Sequence, residues 1–368
     1  VTIDLQPKQA ELLSLIEATG RNVPTKIGYG GARGGGKSGG LRRAMILRRL
    51  DNPGTVGFIV RRYFRDLDEN HIEKFRLEYP ELDRWWREGD KEYRLPNRSR
   101  IAFLYGENKE SVRSISRGPE CMDLMVDQAE EFSEEELTML WECNRWPGSE
   151  PGACKTVLFY NPGGPGTEFL RRVFWKREFR QNETPEDYAF LHAYGWDNFE
   201  WFRGEVPISP ADFYRLSNDE RFELFVHHTT YGRKMNSLPP ALRVGELLGS
   251  FEHFSGQYYA GVWDENTCIL SVSEAESLIQ PWWTRWISQD WGFSHNNANL
   301  WFAAGKLSPH VALTLGIVTD WPIDIVIAYR EYVVSDTGEE DLAREVARLT
   351  PESERRMIRA YYLGPDAW

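Results

Sequence analysis

Gly31-Ala32-Arg33-Gly34-Gly35-Gly36-Lys37-Ser38 spells G-x4-G-K-S, and the chain on either side fits it. Lys26-Ile27-Gly28-Tyr29 ahead of it has extended character, and Leu41 to Leu50 behind it is compatible with a helix. Glycines let successive backbone N–H groups turn inward on a chain of phosphates, a lysine reaches the β/γ oxygens, and a hydroxyl can ligate Mg²⁺. A helix that begins at the loop points its positive end at the same phosphates. The stretch therefore predicts a nucleoside triphosphate site with Mg²⁺, built on Gly31, Gly34, Gly35, Gly36, Lys37 and Ser38. A glycine-rich turn that matched by chance would lack these flanks and the acidic strand downstream.

Outward from the loop, apolar runs alternate with helix-like stretches. Thr55–Val60, Arg100–Tyr105, Cys121–Asp127 and Lys155–Tyr160 read as strands, with a polar, helix-like segment up to Tyr79 after the first. This interleaving predicts an α/β P-loop domain with a mainly parallel sheet, whose ligand chemistry sits at the carboxyl ends of the strands. Asp127 closes the third of these runs, where a Mg²⁺-organising carboxylate would face Lys37 and Ser38. Gln128-Ala129-Glu130-Glu131 follows. A glutamine orients water but does not accept its proton. Four readings stand side by side: Gln128 positions water, Glu130 or Glu131 reaches in as the base, hydrolysis is slow, or Gln128 is an engineered replacement of a glutamate. Glu130 and Glu131 equally suit a helix N-terminus. Asn161, in Tyr160-Asn161-Pro162-Gly163, suits a γ-phosphate sensor and also a simple turn.

The 368 residues fit two domains, and 41% hydrophobic with 27% charged residues is an ordinary globular composition. A net charge of −12 argues against coating nucleic acid through bulk charge, while leaving room for a motor that grips DNA through a small basic patch. Arg42-Arg43 with Arg48-Arg49, Arg61-Arg62, and Arg171-Arg172 with Lys176-Arg177 read first as solvated helix faces. The late tryptophans (Trp282, Trp283, Trp286, Trp291, Trp301, Trp321) read as packing rather than as a base-stacking platform. Cys121, Cys143, Cys154 and Cys268 lack C-x-x-C spacing, so reduced thiols are expected and zinc is not. His227-His228 reads as loop or strand polarity. No apolar run approaches the ~18 residues of a membrane span, and the first residues lack a signal peptide's order, which predicts an intracellular protein. A start at Val1 is expected of a processed end or a fragment.

The order of motifs resembles the large terminase subunits of tailed bacteriophages, motors that package DNA into procapsids, over nearly the whole chain. Leu5-Gln6-Pro7-Lys8-Gln9 looks like the family's adenine-proximal segment, with Gln9 as base reader, and Arg33 like the arginine of its deviant loop. In Ser114-Ile115-Ser116-Arg117-Gly118, Arg117 matches an arginine that reaches a neighbour's site, with Arg113 second. Asn161 falls where the family's coupling motif lies. The sequence departs from the pattern at Gln128.

Farther on, Tyr258–Trp263 looks like the segment leading out of the family's ATPase region, and Trp286–Ser294 like the first strand of its ribonuclease-H-like nuclease. Such a nuclease holds two metals, Mg²⁺ or Mn²⁺, between carboxylates from separate strands. The resemblance assigns Asp290 and Asp366 to that role, with Glu331 a weaker candidate. Strands are expected at Ala298–Ala303, Val311–Val318, Ile323–Val334 and Tyr361–Asp366, and helices at Glu339–Leu349 and Glu352–Arg359. The expected organisation is an ATPase domain at 1–205, a linker or lid at 206–270, and the N-terminal part of a ribonuclease-H-like α/β nuclease at 271–368. That last domain is expected to be incomplete, because Trp368 follows Asp366 closely. The resemblance implies ATP as the nucleotide, and double-stranded DNA, a portal protein and a small terminase subunit as partners. It implies a homo-oligomeric ring, no membrane, and a place in the host cell cytoplasm, transiently on the procapsid. Another DNA-translocating ATPase, such as a helicase or repair enzyme, and a nucleotide-binding structural subunit with little hydrolysis are the alternatives.

Overall fold

The structure, a computed structural model, describes residues 3–252, 268–290, 297–335 and 337–364. The chain divides into two compact units, Val1–Gly261 and Val262–Trp368.

The first unit is built on an eight-stranded sheet. In chain order its strands are β1 (Lys26–Gly31), β2 (Val56–Arg61), β3 (Trp86–Arg87), β4 (Glu92–Arg94), β5 (Arg100–Tyr105), β6 (Asp123–Asp127), β7 (Lys155–Tyr160) and β8 (Tyr188–Ala193). Their spatial order is β3-β4-β5-β2-β6-β7-β1-β8. The six strands from β5 to β8 run parallel, and the short hairpin β3–β4 adds an antiparallel edge. Period-two alternation sends Ile27, Tyr29, Ile59, Met125 and Phe159 to one face, beneath helices α1 (Pro7–Glu17) and α2 (Lys37–Asp51). Phe58, Val60, Leu124, Val126, Leu158 and Tyr160 pack on the other face against Leu137, Leu140 and Phe169. With both faces covered, the strands read as continuous apolar runs, which is why they were visible in the sequence.

Strands β3, β4 and β8 were not among the expected ones. The first two are only two and three residues long, and in β8 three of the six residues are only partly buried. Helices Asn218–His228, Thr230–Asn236 and Pro240–Glu246 continue the first unit, with Phe199, Phe202, Phe213 and Phe225 in an aromatic core. His227 and His228 close the first of these helices, a correction to the expected loop or strand; the Ser217–Glu220 capping box starts it.

The second unit holds a four-stranded sheet of β9 (Thr284–Asp290), β10 (Asn297–Leu307), β11 (Ile323–Val334) and β12 (Ile358–Leu363), in the order β11-β10-β9-β12. The first three form an antiparallel meander, and β12 joins β9 in parallel after the helix Glu339–Leu349. Trp301 is fully buried beside Leu342 and Val346, with its Nε1–H donated to Thr350 Oγ1 at 3.0 Å. Trp283 is also buried, but Trp282 and Trp321 are exposed, so packing accounts for only some of the late tryptophans.

Two expected elements are corrected. Residues 311–318 do not form a strand: Pro309–Thr314 is a helix, started by Ser308 as N-cap and Pro309 at the first turn. That start signal outweighs the β-branched residues behind it. The helix at 352 ends at Arg355, and the chain is already extended at Ile358, where edge pairing with β9 takes over.

Candidate active site

Parallel register sets the site. Gly30 lies level with Tyr160, and Asp127 with Phe159, so the carboxyl ends of β1, β7 and β6 meet at one height. The loop leaves β1 there, Asn161 leaves β7, and Gln128 leaves β6. Ser38 Oγ donates to Asp127 at 3.3 Å from Oδ1, joining groups 89 residues apart. Lys37 is buried, and its ammonium donates to the carbonyls of Ala32 at 2.5 Å and Gly31 at 3.4 Å. Burial pulls its pKa down to about 8, against the pull of Glu130, Asp127 and Glu246.

A cavity of about 450 Å³ opens over the loop, a size that suits a small molecule. Arg33, Gly34, Gly35, Gly36, Lys37, Ser38, Gln128 and Asn161 line it. A smaller recess of about 140 Å³ brings Lys37, Ser38, Arg61, Asp127, Gln128 and Asn161 together. Gly31, the last residue of β1, is not among the residues that line either space. One hydroxyl and one carboxylate beside such a recess match the sparse protein ligation that Mg²⁺ takes when phosphates and water complete its shell. Among the described residues no group of three or more His, Cys, Asp or Glu could hold a metal by itself.

Gln128 has φ 52° and ψ 52°, the left-handed region that a side chain seldom adopts. This twist ends β6 and turns the next residues back under the sheet. Glu130 is consequently buried, its Oε1 accepting from Asn161 Nδ2 at 3.2 Å. Burial raises the Glu130 carboxyl to about 8. Glu131 is half-buried and shifted in the same direction for the same reason. Folded Glu130 therefore keeps its proton to about pH 8, whereas the unfolded chain releases it near 4.5. The folded state binds more protons across that window, so this contribution to stability is full below 4.5 and is lost as the pH rises toward 8. The slope is at most about 1.4 kcal/mol per pH unit. Urea unfolding at several pH values should show this slope in the wild type and its loss in Glu130→Gln; equal slopes in both proteins would contradict it.

Sequence reasoning missed His71. The helical stretch from Phe64 to Glu78 contains a π-turn at Asp68–Ile72, and that turn swings His71 onto Asp127, Nε2 to Oδ2 at 2.9 Å. The imidazole is fully buried, and burial lowers its pKa, so the neutral ring donates Nε2–H. Burial raises Asp127, but the His71 bond, the Arg61 guanidinium at 3.6 Å and the Ser38 hydroxyl outweigh it and leave the carboxyl below its ordinary value. Nothing in Glu69-Asn70-His71 marks such a turn.

Other predicted residues fall at varied distances from this centre. Gln9 is buried against the loop, donating Nε2 to Gly36 O at 3.1 Å while its Oε1 accepts from Gln6 N at 3.2 Å. Arg33 forms an ion pair with Glu246, whose carbonyl accepts the Arg33 N–H at 3.0 Å. Arg117 sits exposed at the end of helix Lys109–Ser116, outside the cavity lining, and Arg113 is exposed one turn before it. Asp290 is exposed at the end of β9; Gly364, which follows β12, donates its N–H to Gln289 O at 3.0 Å beside it. Asp366 lies outside the described residues, as do Tyr258–Trp263 and Trp291–Ser294. Glu331 is exposed on β11. It lines a cavity of about 680 Å³ in which Glu354 accepts from Tyr329 Oη and Arg330 Nη1. The basic clusters near the loop are mostly not solvated faces. Arg48 and Arg49 are buried on Asp123, Arg42 pairs with Glu78, and Arg62 with Glu136.

The family model described as phage terminase large subunit matches residues 24–234. Among solved structures, the large terminase of a thermophilic bacteriophage in complex with ATP-gamma-S aligns at 13% identity and a TM-score of 0.46, covering 99% of this chain and 78% of that one. The HK97 bacteriophage large terminase aligns at 12% identity and a TM-score of 0.46, over 98% of this chain and 70% of that one. The large terminase ATPase domain of Thermus phage P74-26 aligns at 17% identity and a TM-score of 0.33, over 57% of this chain and 96% of that one. No curated protein matches. The family match spans more than half of the sequence and contains the whole phosphate loop with its acidic partner strand, so the chain belongs to the phage terminase large subunit family.

Proposed function

We propose that the chain is the ATP-hydrolysing subunit of a motor that drives double-stranded DNA into a procapsid. The observation that carries this reading is the meeting of Lys37, Ser38 and Asp127 in one recess at the carboxyl ends of β1 and β6. Ser38 and Asp127 would hold Mg²⁺, which when bound draws charge from the phosphate oxygens. Lys37 exchanges its loop carbonyls for the β/γ oxygens, and Arg33 leaves Glu246 to add a second positive charge. Gln128 and Asn161 orient the water for in-line attack on the γ-phosphorus. His71 fixes the Asp127 carboxylate, and Glu130 fixes Asn161. Phosphoryl transfer through a loose transition state depends more on positioning than on a strong base, which suits a glutamine at the water. Arg117 of a neighbouring subunit completes the site in a ring. Arginine fingers are worth roughly 10³–10⁵ in rate, so an isolated chain should turn over slowly.

In this reading the second unit is a metal-dependent endonuclease with Asp290 and Asp366 as carboxylates, and the motor acts with a portal protein and a small terminase subunit in the host cytoplasm. No helix among the described residues is long and apolar enough to cross a membrane. A second reading, a nucleotide-binding subunit with little hydrolysis, is favoured by Gln128 alone. Phosphate release from Mg·ATP separates the roles. Gln128→Ala should fall about 10²-fold, whereas Glu130→Gln, which keeps an acceptor for Asn161, should stay within a few-fold. A loss of roughly 10²–10⁴ in Glu130→Gln would make Glu130 the general base, and a flat response at both positions would favour the non-hydrolytic subunit.

A further inference from the structure

Part of the cavity wall is aromatic and has no task in phosphate chemistry. Trp201, in the turn Phe199–Trp201, and Tyr231, in the helix Thr230–Asn236, stack with ring centroids 4.1 Å apart and planes 20° apart. Both rings line the cavity over the phosphate loop, beside Gly34 to Ser38. Tyr231 also meets Phe225 at a steep angle, 6.0 Å between centroids, and both Trp201 and Tyr231 stay only partly buried where they line the cavity. The pair is also fixed to the loop: Trp201 Nε1–H donates to Gly34 O at 2.7 Å. Gly34 has φ 79°, and a Cβ there would fall 2.6 Å from the Tyr231 ring and 2.9 Å from Trp201 Nε1. Only glycine lets the loop close against these rings.

The amides nearby are already engaged. Gln9 is 2% exposed, with its Nε2 on Gly36 O and its Oε1 on Gln6 N. Asn198 donates Nδ2 to Gly34 O at 3.0 Å and accepts from Gln6 Nε2 at 2.8 Å. Gln6, Gln9 and Asn198 thus form a polar brace on the loop, with Gln9 buried beneath it, whereas Trp201 and Tyr231 line the cavity itself.

We propose that Trp201 and Tyr231 form the nucleobase platform, holding the base by stacking, and that Gln9 stiffens the loop rather than reading adenine. This inference rests on the triphosphate site proposed above. Every base presents a π-face, so a stacking platform tolerates base identity. The wild-type protein should bind ATP and GTP within about threefold of each other, and inorganic tripolyphosphate, which has no base, more weakly.

Calorimetric titration of the whole chain with ATP, GTP and tripolyphosphate, each with Mg²⁺, tests this. In Trp201→Leu the ratio of ATP to tripolyphosphate affinity should fall about tenfold or more, the size of one base–aromatic contact. Trp201→Phe keeps a ring but loses the bond to Gly34, so any weakening from a loosened loop should affect both ligands alike and leave the ratio nearly unchanged. Tyr231→Leu provides a second, independent loss of ring surface. An unchanged ratio in both leucine variants overturns the platform, as does a strong preference for ATP over GTP that disappears in Gln9→Ala. If tripolyphosphate and both nucleotides fail to bind folded wild-type protein, the triphosphate site itself is overturned, and the platform with it.

Discussion

Lys37→Ala should abolish ATP turnover, by about 10³-fold or more, while the protein remains folded. The Lys37 ammonium is buried inside the loop, held by the carbonyls of Gly31 and Ala32. Those carbonyls hold the cation in place but do not neutralise it, and burial has already lowered its pKa to about 8. A triphosphate would supply the missing countercharge, and in a desolvated site a single such interaction outweighs its value in water. The apolar positions that hold α2 on the sheet, among them Leu41, Ala44, Met45 and Ile46, are untouched by the substitution, so the fold should survive it. Phosphate release together with near-ultraviolet circular dichroism checks both halves. Retained turnover in a folded variant would remove the loop from the chemistry.

The second large effect is expected in the other unit. Asp290→Ala should eliminate Mg²⁺- or Mn²⁺-dependent nicking of DNA by the full protein, because the loss of one carboxylate disrupts a two-metal centre. ATP turnover should stay near wild type, since the residues proposed for that step all belong to the first unit. Asp290 is exposed at the carboxyl end of β9, and the parallel register of β12 brings Leu363 level with Gln289. The chain two residues before Asp366 is therefore already beside Asp290. If Asp290 only shaped the end of its strand, the substitution would lower the melting temperature and spare cleavage. A plasmid-nicking assay on the folded variant distinguishes the two outcomes.

How much of this was legible in the sequence depended on whether the signal was local. The phosphate loop and the buried parallel strands β2, β5, β6 and β7 declare themselves through short-range pattern, because a fully covered strand must be apolar throughout. Asp127 was legible through its position at the end of such a strand, and the structure brings it to Ser38. His71 was not, because a single π-turn decides whether it faces solvent or Asp127, and no residue type encodes that turn. Nor was the αL backbone of Gln128, which sends Glu130 under Asn161. Trp201 and Tyr231 reach the loop through tertiary packing from residues far along the chain. Residues 311–318, expected as a strand, depart from that because the Ser308-Pro309 helix start outweighs their β-branched content. The roles of Arg117 and Asp366 came from resemblance alone; Arg117 sits on an exposed helix end, and Asp366 lies outside the described residues.

The proposed motor role stands on hydrolysis of ATP at this site. The most direct measurement is steady-state phosphate release by the purified chain with Mg·ATP, alone and then with double-stranded DNA and procapsids. Slow but measurable release is expected from the chain alone and none from Lys37→Ala, with strong stimulation when assembly on procapsids brings Arg117 of one subunit to the site of the next. Stoichiometric binding of Mg·ATP with no release under any of these conditions would contradict the motor and leave a nucleotide-binding subunit in its place.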